Sequence, residues 1–387
     1  MLLNFPFLSK DNASREKYKT NLFVFYSEAP HIFIFLNKDN SFISKYHYFC
    51  VLNKKEYENM ALLETNYAGL KLKNPLIIGS SGLTNSANNN KKLEDAGAGA
   101  VVLKSLFEEQ INMQGDVLMK ASDSPEAATY IRNYVKANQI ESYLTLIRET
   151  KSLCTIPVIA SINCYNAGAW TEFAKRIEEA GADALELNIF YMCDDLNMSA
   201  NKLSELYASI VEKTKKLTKI PIIVKIGKGI SNIPGLINMM NIHGAKGVVM
   251  FNRYYRPDID IDKVQLISGE VFSNPSDLSD TLRWAALVSA LVPKISIASS
   301  CGVHKWEDAV KCLLAGARAV QICSTIYKNG MGVIPEMLKG IEEWMSEKKY
   351  ISVSEFQGKL NFSNAENPSL YKRTQFMNYI SDKKKNV

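Results

Sequence analysis

The segment AGADALELN, residues 180–188, fixes how the rest of this chain is read. A glycine, Gly181, stands where a helical pattern over 168–180 runs out, and a short apolar run, ALELN at 184–188, follows at once and stops on an amide. Glycine is favoured just past a helix because that position commonly takes a left-handed backbone. A strand that is apolar nearly throughout is buried on both faces, as in a parallel sheet covered by helices. The same arrangement returns in AGAGAV (96–101), HGAKGV (243–248) and AGARAV (315–320).

Outward from that segment, apolar runs alternate with helical patterns from Pro75 onward. The runs are LIIGS (76–80), AVVLK (100–104), PVIAS (157–161), ALELN (184–188), PIIVK (221–225), GVVMF (247–251), ISIAS (295–299) and AVQIC (319–323). Helices are expected at 168–180, 199–216, 305–315 and 335–347. Eight buried strands separated by helices predict an α/β fold of the (β/α)8 TIM-barrel type. A doubly wound open sheet accounts less well for eight evenly used strands, and no G-x-G-x-x-G follows the first of them.

Three segments are expected. Residues 1–59 are rich in Asn, Lys, Phe and Tyr without a sustained period, and form a non-barrel extension. Met60 opens the barrel segment, 60–360, and translation is expected to begin there. Residues 361–387 form a tail with one short helix around 368–380 and a basic end.

Composition narrows the function. A chain of 387 residues with 47% hydrophobic and 22% charged residues can bury a large core. The net charge of +6 is modest, and no basic stripe interleaved with aromatics points to nucleic acid. Seven cysteines without a C-x-x-C pair, and four histidines without ligand spacing, argue against a metal centre and for a reducing compartment. No stretch reads as a membrane span or signal peptide, so the expected location is cytoplasmic.

In barrels of this kind the chemistry gathers at the C-terminal strand ends. Those ends carry Ser80-Ser81-Gly82, Lys104-Ser105, Asn163, Asn188, Lys225, Asn252, Gly302 and Ser324. A lone polar residue there is only what a strand end requires. Two lysines ending otherwise buried strands imply an anionic ligand, or one that becomes anionic, because an unpaired buried ammonium is costly. SSCGVHKWEDA (299–309) and CSTIYKNG (323–330) place small residues between strand and helix, where backbone N–H groups can cradle a phosphate.

These residues, in this order, resemble the dihydroorotate dehydrogenase family, most closely its soluble class 1 branch, from about Met60 to Leu360. SSG (80–82) is similar to the family's A-S-G, LKS (103–105) to its T-K-S, ELN (186–188) to the start of E-L-N-x-S-C-P-N, and VKI (224–226) to V-K-L. FNR (251–253) is similar to V-N-S, SSCG and QICST to the phosphate-binding G-T-G-G and Q-I-G-T-A, and FQGKL (356–360) to the closing F-x-G-K-L. The resemblance implies bound FMN, held by Ser80, Ser81, Gly82, Lys104, Ser105, Asn163, Asn188, Lys225, Gly269, Gly302, Cys323 and Ser324. Lys225 would stabilise negative charge at the flavin's pyrimidine edge. Lys104, Asn188, Asn252 and Arg253 would bind an orotate-like substrate. An external electron acceptor, for which fumarate is a family precedent, and a homodimer are also implied.

The resemblance fails at the base. The family's N-x-S-C-P-N becomes Asn188-Ile189-Phe190-Tyr191-Met192-Cys193, which puts Tyr191 at the cysteine position. The substrate loop N-S-M-G-L-P-N has no clear counterpart between Gln110 and Ser142, and Arg253 replaces a serine. Three readings stay open. Tyr191 acts as base with its phenol lowered from about 10 by a cation such as Lys104, Cys193 acts with a thiol near 8.5, or the substrate is different. Rival functions are oxidation or reduction of another dihydropyrimidine-like ring, a non-catalytic phosphate-ligand barrel, and a Schiff-base lyase using Lys104 or Lys225. A tRNA-directed flavin reductase should carry a basic surface or RNA-binding appendage, and neither is evident.

Overall fold

The computed structural model describes residues 62–107, 125–163, 171–189, 191, 193–254 and 256–372, together with two short strands near the start. The chain divides into two compact units, residues 1–60 and 61–387. In the first, Phe23–Val24 and Phe33–Ile34 pair antiparallel; its other residues, and the expected start at Met60, lie outside the described residues.

In the second unit the barrel strands are β1 Leu76–Ile78, β2 Ala100–Val102, β3 Val158–Asn163, β4 Ala184–Ile189, β5 Ile222–Ile226, β6 Ala245–Met250, β7 Ser296–Ser300 and β8 Ala319–Ile322. Each pairs in parallel with the next, and β8 pairs with β1 through Val320 and Leu76. Val101 opposite Val158 and Val102 opposite Ile159 complete the ring between β2 and β3. The fold is the closed (β/α)8 barrel, with strands on all eight expected runs.

The helices are α1 Ala87–Asp95, α2 Pro125–Leu153, α3 Thr171–Glu179, α4 Ala200–Lys215, α5 Ile233–Ile242, α6 Leu278–Leu291, α7 Trp306–Leu314, α8 Ser324–Asn329 and α9 Val333–Lys348. The four expected helices are α3, α4, α7 and α9. Gly97, Gly181, Gly244 and Gly316, which end helices in the repeated sequence pattern, all have positive φ between 96° and 114°. The substrate-loop region falls partly at 108–124, outside the described residues, and partly in the start of α2. Of the expected tail helix only Ser369–Lys372 is described; residues 373–387 lie outside the described residues. No helix among the described residues is long and apolar enough to cross a membrane.

Alternation along each strand divides the core in two. Outward residues such as Leu185, Leu187, Val224 and Val248 meet the helices. Inward residues, including Ile77, Ala100, Ile159, Ala184, Ile223, Val249 and Ala319, form a separate layer inside the ring. Many of these are small and stand at or near the first residue of a strand, and a hairpin of Thr65–Tyr67 with Leu70–Leu72 fills the space below them. Its turn, Ala68-Gly69, has φ of 53° and 91°, the signs of a type I′ turn. Tyr67 is fully buried and its hydroxyl donates to the Val248 carbonyl at 3.4 Å. Gly247 permits the approach, since a Cβ there would lie 3.1 Å from the Ala68 Cβ. The hairpin stoppers the N-terminal end of the barrel and leaves the C-terminal end for a ligand.

Candidate active site

Above the apolar layer the inward side chains become polar. Glu186 on β4, Lys225 on β5 and Gln321 on β8 are all buried. Lys225 Nζ donates to Gln321 Oε1 at 3.1 Å, and Gln321 Nε2 donates to Glu186 Oε2 at 2.7 Å. Lys225 Nζ also stands 3.9 Å from Glu186 Oε1. An ammonium has three donors, and Lys225 also lines the cavity above.

On the other side, hydroxyls form a chain: Ser80 Oγ lies 3.0 Å from Ser105 Oγ, which lies 2.7 Å from Ser161 Oγ. The Ser105 N–H donates to Ser80 Oγ at 2.8 Å, which ties the ends of β1 and β2 together. Ser81 caps the short turn Gly82–Thr84 by accepting from the Leu83 N–H. One layer higher, Asn252 Nδ2 donates to Asn188 Oδ1 at 2.9 Å. That leaves the Asn188 amide N–H groups and the Asn252 carbonyl oxygen for a ligand, a donor and acceptor set matched to a cyclic amide or imide.

These groups surround a cavity of about 300 Å³ at the C-terminal mouth of the barrel. Lys104 lines it from the rim, exposed, with no carboxylate within 4 Å among the described residues. It is placed at the mouth to receive an anionic group. Phe107 and Tyr254 supply aromatic walls, and Tyr254 donates its hydroxyl to the Lys228 carbonyl across Gly227, where no Cβ would fit.

Ser80, Ser81, Gly82, Lys104, Ser105, Asn163, Asn188, Lys225, Asn252 and Arg253, all singled out from sequence, line this one cavity. Arg253 reaches it with its guanidinium already engaged: NH1 meets Asp277 Oδ2 at 2.8 Å, and Nε and NH2 donate to the Val271 and Glu270 carbonyls. Burial alone would raise the Asp277 carboxyl, but the Asn274 N–H and the charges of Lys228, Arg253 and Arg256 outweigh it and hold it below the ordinary carboxylate range.

Six sequence-derived residues do not line the cavity. Tyr191 is half-buried against the outer core, and Cys193 is exposed with its thiol 3.7 Å from the Asp195 carbonyl. Gly269 closes the hairpin Pro257–Asp260 with Gln265–Ser268, its N–H donating to the Arg256 carbonyl. Gly302 lies on the loop after β7, and Cys323 and Ser324 form the junction between β8 and α8. Ser324 Oγ accepts from the Ser273 N–H at 3.0 Å, and Ser273 Oγ pairs with His304 Nε2 at 3.1 Å. Lys328 Nζ donates to the Ser273 carbonyl, so these expected phosphate segments converge with a histidine and a lysine at hand.

Sequence reading missed Glu186, Phe107 and Tyr254. Two signals were there, since Glu186 and Tyr254 each stand two residues from an asparagine already singled out. For Glu186, on a strand, that spacing means the same inward face.

The sequence profile described as Dihydroorotate dehydrogenase matches residues 62–345. The chain belongs to the dihydroorotate dehydrogenase family. It is therefore of a class of oxidoreductases acting on CH–CH bonds, in a family that works with flavin. The catalytic subunit of dihydroorotate dehydrogenase B (NAD(+)) from Pyrococcus abyssi is 32% identical over 310 residues, covering 77% of this chain and 98% of that protein. The same subunit from Thermoplasma volcanium is 28% identical, with 77% and 98% covered. The NAD-dependent dihydropyrimidine dehydrogenase subunit PreA of Escherichia coli is 25% identical, with 77% of each covered.

The groups of the cavity suit a flavin. Lys225 offers a buried cation to an electron-rich ring edge, and Glu186 Oε1 is buried without a hydrogen-bond partner. A polar, planar ligand with its own donors satisfies that set, and the residues fit the group.

Proposed function

We propose that this protein is an FMN-dependent dehydrogenase that oxidises dihydroorotate to orotate in pyrimidine biosynthesis. The observation that carries the reading is the convergence of Lys104, Asn188, Lys225 and Asn252 on one cavity. Bound FMN supplies the hydride acceptor, and the protein supplies the rest. Lys225 would steady negative charge at the pyrimidine edge of the flavin, and Ser80, Ser81, Gly82 and Ser105, which line the same cavity, would help hold it. The paired amides of Asn188 and Asn252 orient the substrate ring through its N–H and C=O groups. Lys104 meets the substrate carboxylate from the rim. The loop after Asn188 supplies the proton acceptor, with Cys193 and Tyr191 as candidates; either side chain has to turn inward to act. Gly269, Gly302, Cys323 and Ser324 are assigned to the flavin on the family's pattern, the last three near its phosphate.

The electron acceptor is external. The relatives' names favour NAD(+), reached through another subunit, over fumarate, because two of them are called catalytic subunits of NAD(+) enzymes.

A second reading, a dihydropyrimidine without the carboxylate, is favoured by the PreA relative and by the altered loop at 189–193. Lys104 separates the two. Turnover of dihydroorotate and of dihydrouracil is compared with an artificial acceptor in the wild type and in Lys104→Ala. The dihydroorotate reading expects a preference for dihydroorotate that falls about 10- to 150-fold when Lys104 is lost, since a charged hydrogen bond contributes about 1.5–3 kcal/mol. Equal use of both substrates, unaffected by Lys104, supports the second reading.

A further inference from the structure

Glu186 is a charge to which the proposed reaction assigns no task. It is fully buried on β4, one oxygen accepts from Gln321, and the other has no hydrogen-bond partner among the described residues and faces Lys225 at 3.9 Å. Carboxylate and ammonium both line the cavity. A buried carboxylate with an unbonded oxygen is costly unless an opposite charge compensates it, and here Lys225 does so directly and through the Gln321 amide. Tyr67 from the hairpin below and Tyr143 from α2 also feel the Glu186 charge. Burial first, and that charge second, raise the Tyr67 phenol, and the Tyr143 phenol is likewise raised. Cys301 and Cys323 feel the Lys225 charge, although burial raises both thiols, and Lys104 stands at the exposed rim. Among these groups Lys225 is the buried cation that faces Glu186.

Resting on the flavin reading, we propose that Glu186 is a redox-linked proton acceptor, ionised against Lys225 while the flavin is oxidised and protonated when the flavin is reduced. Hydride transfer from a dihydropyrimidine breaks its C–H bond and brings two electrons and one proton to the flavin. Lys225 would then be engaged by the negative charge of the reduced cofactor, and Glu186 would be left as a second buried anion facing the same cation. Uptake of one proton from solvent by Glu186 restores the charge balance of the cavity, so two electrons enter with two protons. The substrate's other proton leaves separately through the base.

The test uses flavin-loaded protein reduced anaerobically with dithionite. The reduced-minus-oxidised infrared difference spectrum of the wild type should show the carbonyl band of a protonated carboxyl, shifted in D₂O and absent in Glu186→Gln. The midpoint potential of the wild type should follow pH as for two protons per two electrons, and that of Glu186→Gln as for one, at a more positive value. Absence of the band from the wild type, or the same proton count in both proteins, would overturn the proposal. The wild-type spectrum decides the matter even if Glu186→Gln does not fold. Protein that neither carries nor takes up flavin defeats the functional reading itself, whereas flavin-loaded protein without the band defeats this proposal alone.

Discussion

Asn252 donates its side-chain N–H to the Asn188 carboxamide oxygen at 2.9 Å, so residues 64 positions apart act as one recognition unit at the barrel mouth. Each fixes which atoms the other presents. Replacing either by alanine removes one ligand contact and frees the partner to rotate. Each single change is expected to raise KM for the preferred dihydropyrimidine about 10- to 100-fold, and the double change to cost less than the product, with a coupling of about 1 kcal/mol. Steady-state kinetics of the four proteins reads this out; multiplicative effects would show that the amides act independently.

Arg253 lines the cavity, yet its guanidinium bonds Asp277, Glu270 and Val271, which fixes the 270–277 segment beside the site. Arg253→Lys keeps the charge and loses the planar fork. Amide hydrogen exchange over 270–277 is expected to speed up by about 10-fold or more while global stability changes by about 1 kcal/mol or less. Weaker substrate binding with unchanged exchange would instead make Arg253 a direct ligand for the substrate anion.

Glu94 ties α1 to the entry of β3. It is buried, accepts from the Thr155 N–H and hydroxyl and from the Ile156 N–H, and pairs with Lys91 at 3.0 Å. Burial by itself would raise its carboxyl, but these bonds outweigh burial and lower it from 4.5 to about 2. A depressed folded value means the stabilisation is full above about 4.5 and is lost as pH falls toward 2, and its size is about 3 kcal/mol. Glu94→Gln should therefore lower the unfolding free energy at neutral pH by about 2–3 kcal/mol and flatten its decline below pH 4.5. Denaturant unfolding at several pH values tests this, and an unchanged acid limb would contradict it.

Proton transfer is expected to depend on Cys193, because a thiol as a class gives up its proton nearer neutrality than a phenol does. Cys193→Ala should reduce turnover by about 10²- to 10⁴-fold, with Tyr191→Phe milder, and wild-type turnover should fall on the acid side of the pH profile as the base takes up a proton. The reverse order of effects assigns the role to Tyr191.

The barrel was legible because both faces of its strands are buried, which turns each into a continuous apolar run such as PIIVK or AVQIC. The glycines that stop helices before strands were legible because only a left-handed residue serves there. The hairpin at 257–268 was not, because Ile259, Ile261, Val264 and Leu266 are exposed and do not mark a core. The site's cationic and amide members could be read at the strand ends. The Glu186–Gln321–Lys225 chain could not, since it joins residues up to 135 positions apart and no local spacing encodes that meeting.

The most direct test of the central claim is anaerobic titration of the purified protein with dihydroorotate, followed at the visible flavin band. A yellow protein whose band bleaches near one equivalent of dihydroorotate is expected. A flavin band that persists in excess dihydroorotate would contradict dihydroorotate as the substrate, and a protein that binds no flavin would contradict the role given to Lys225.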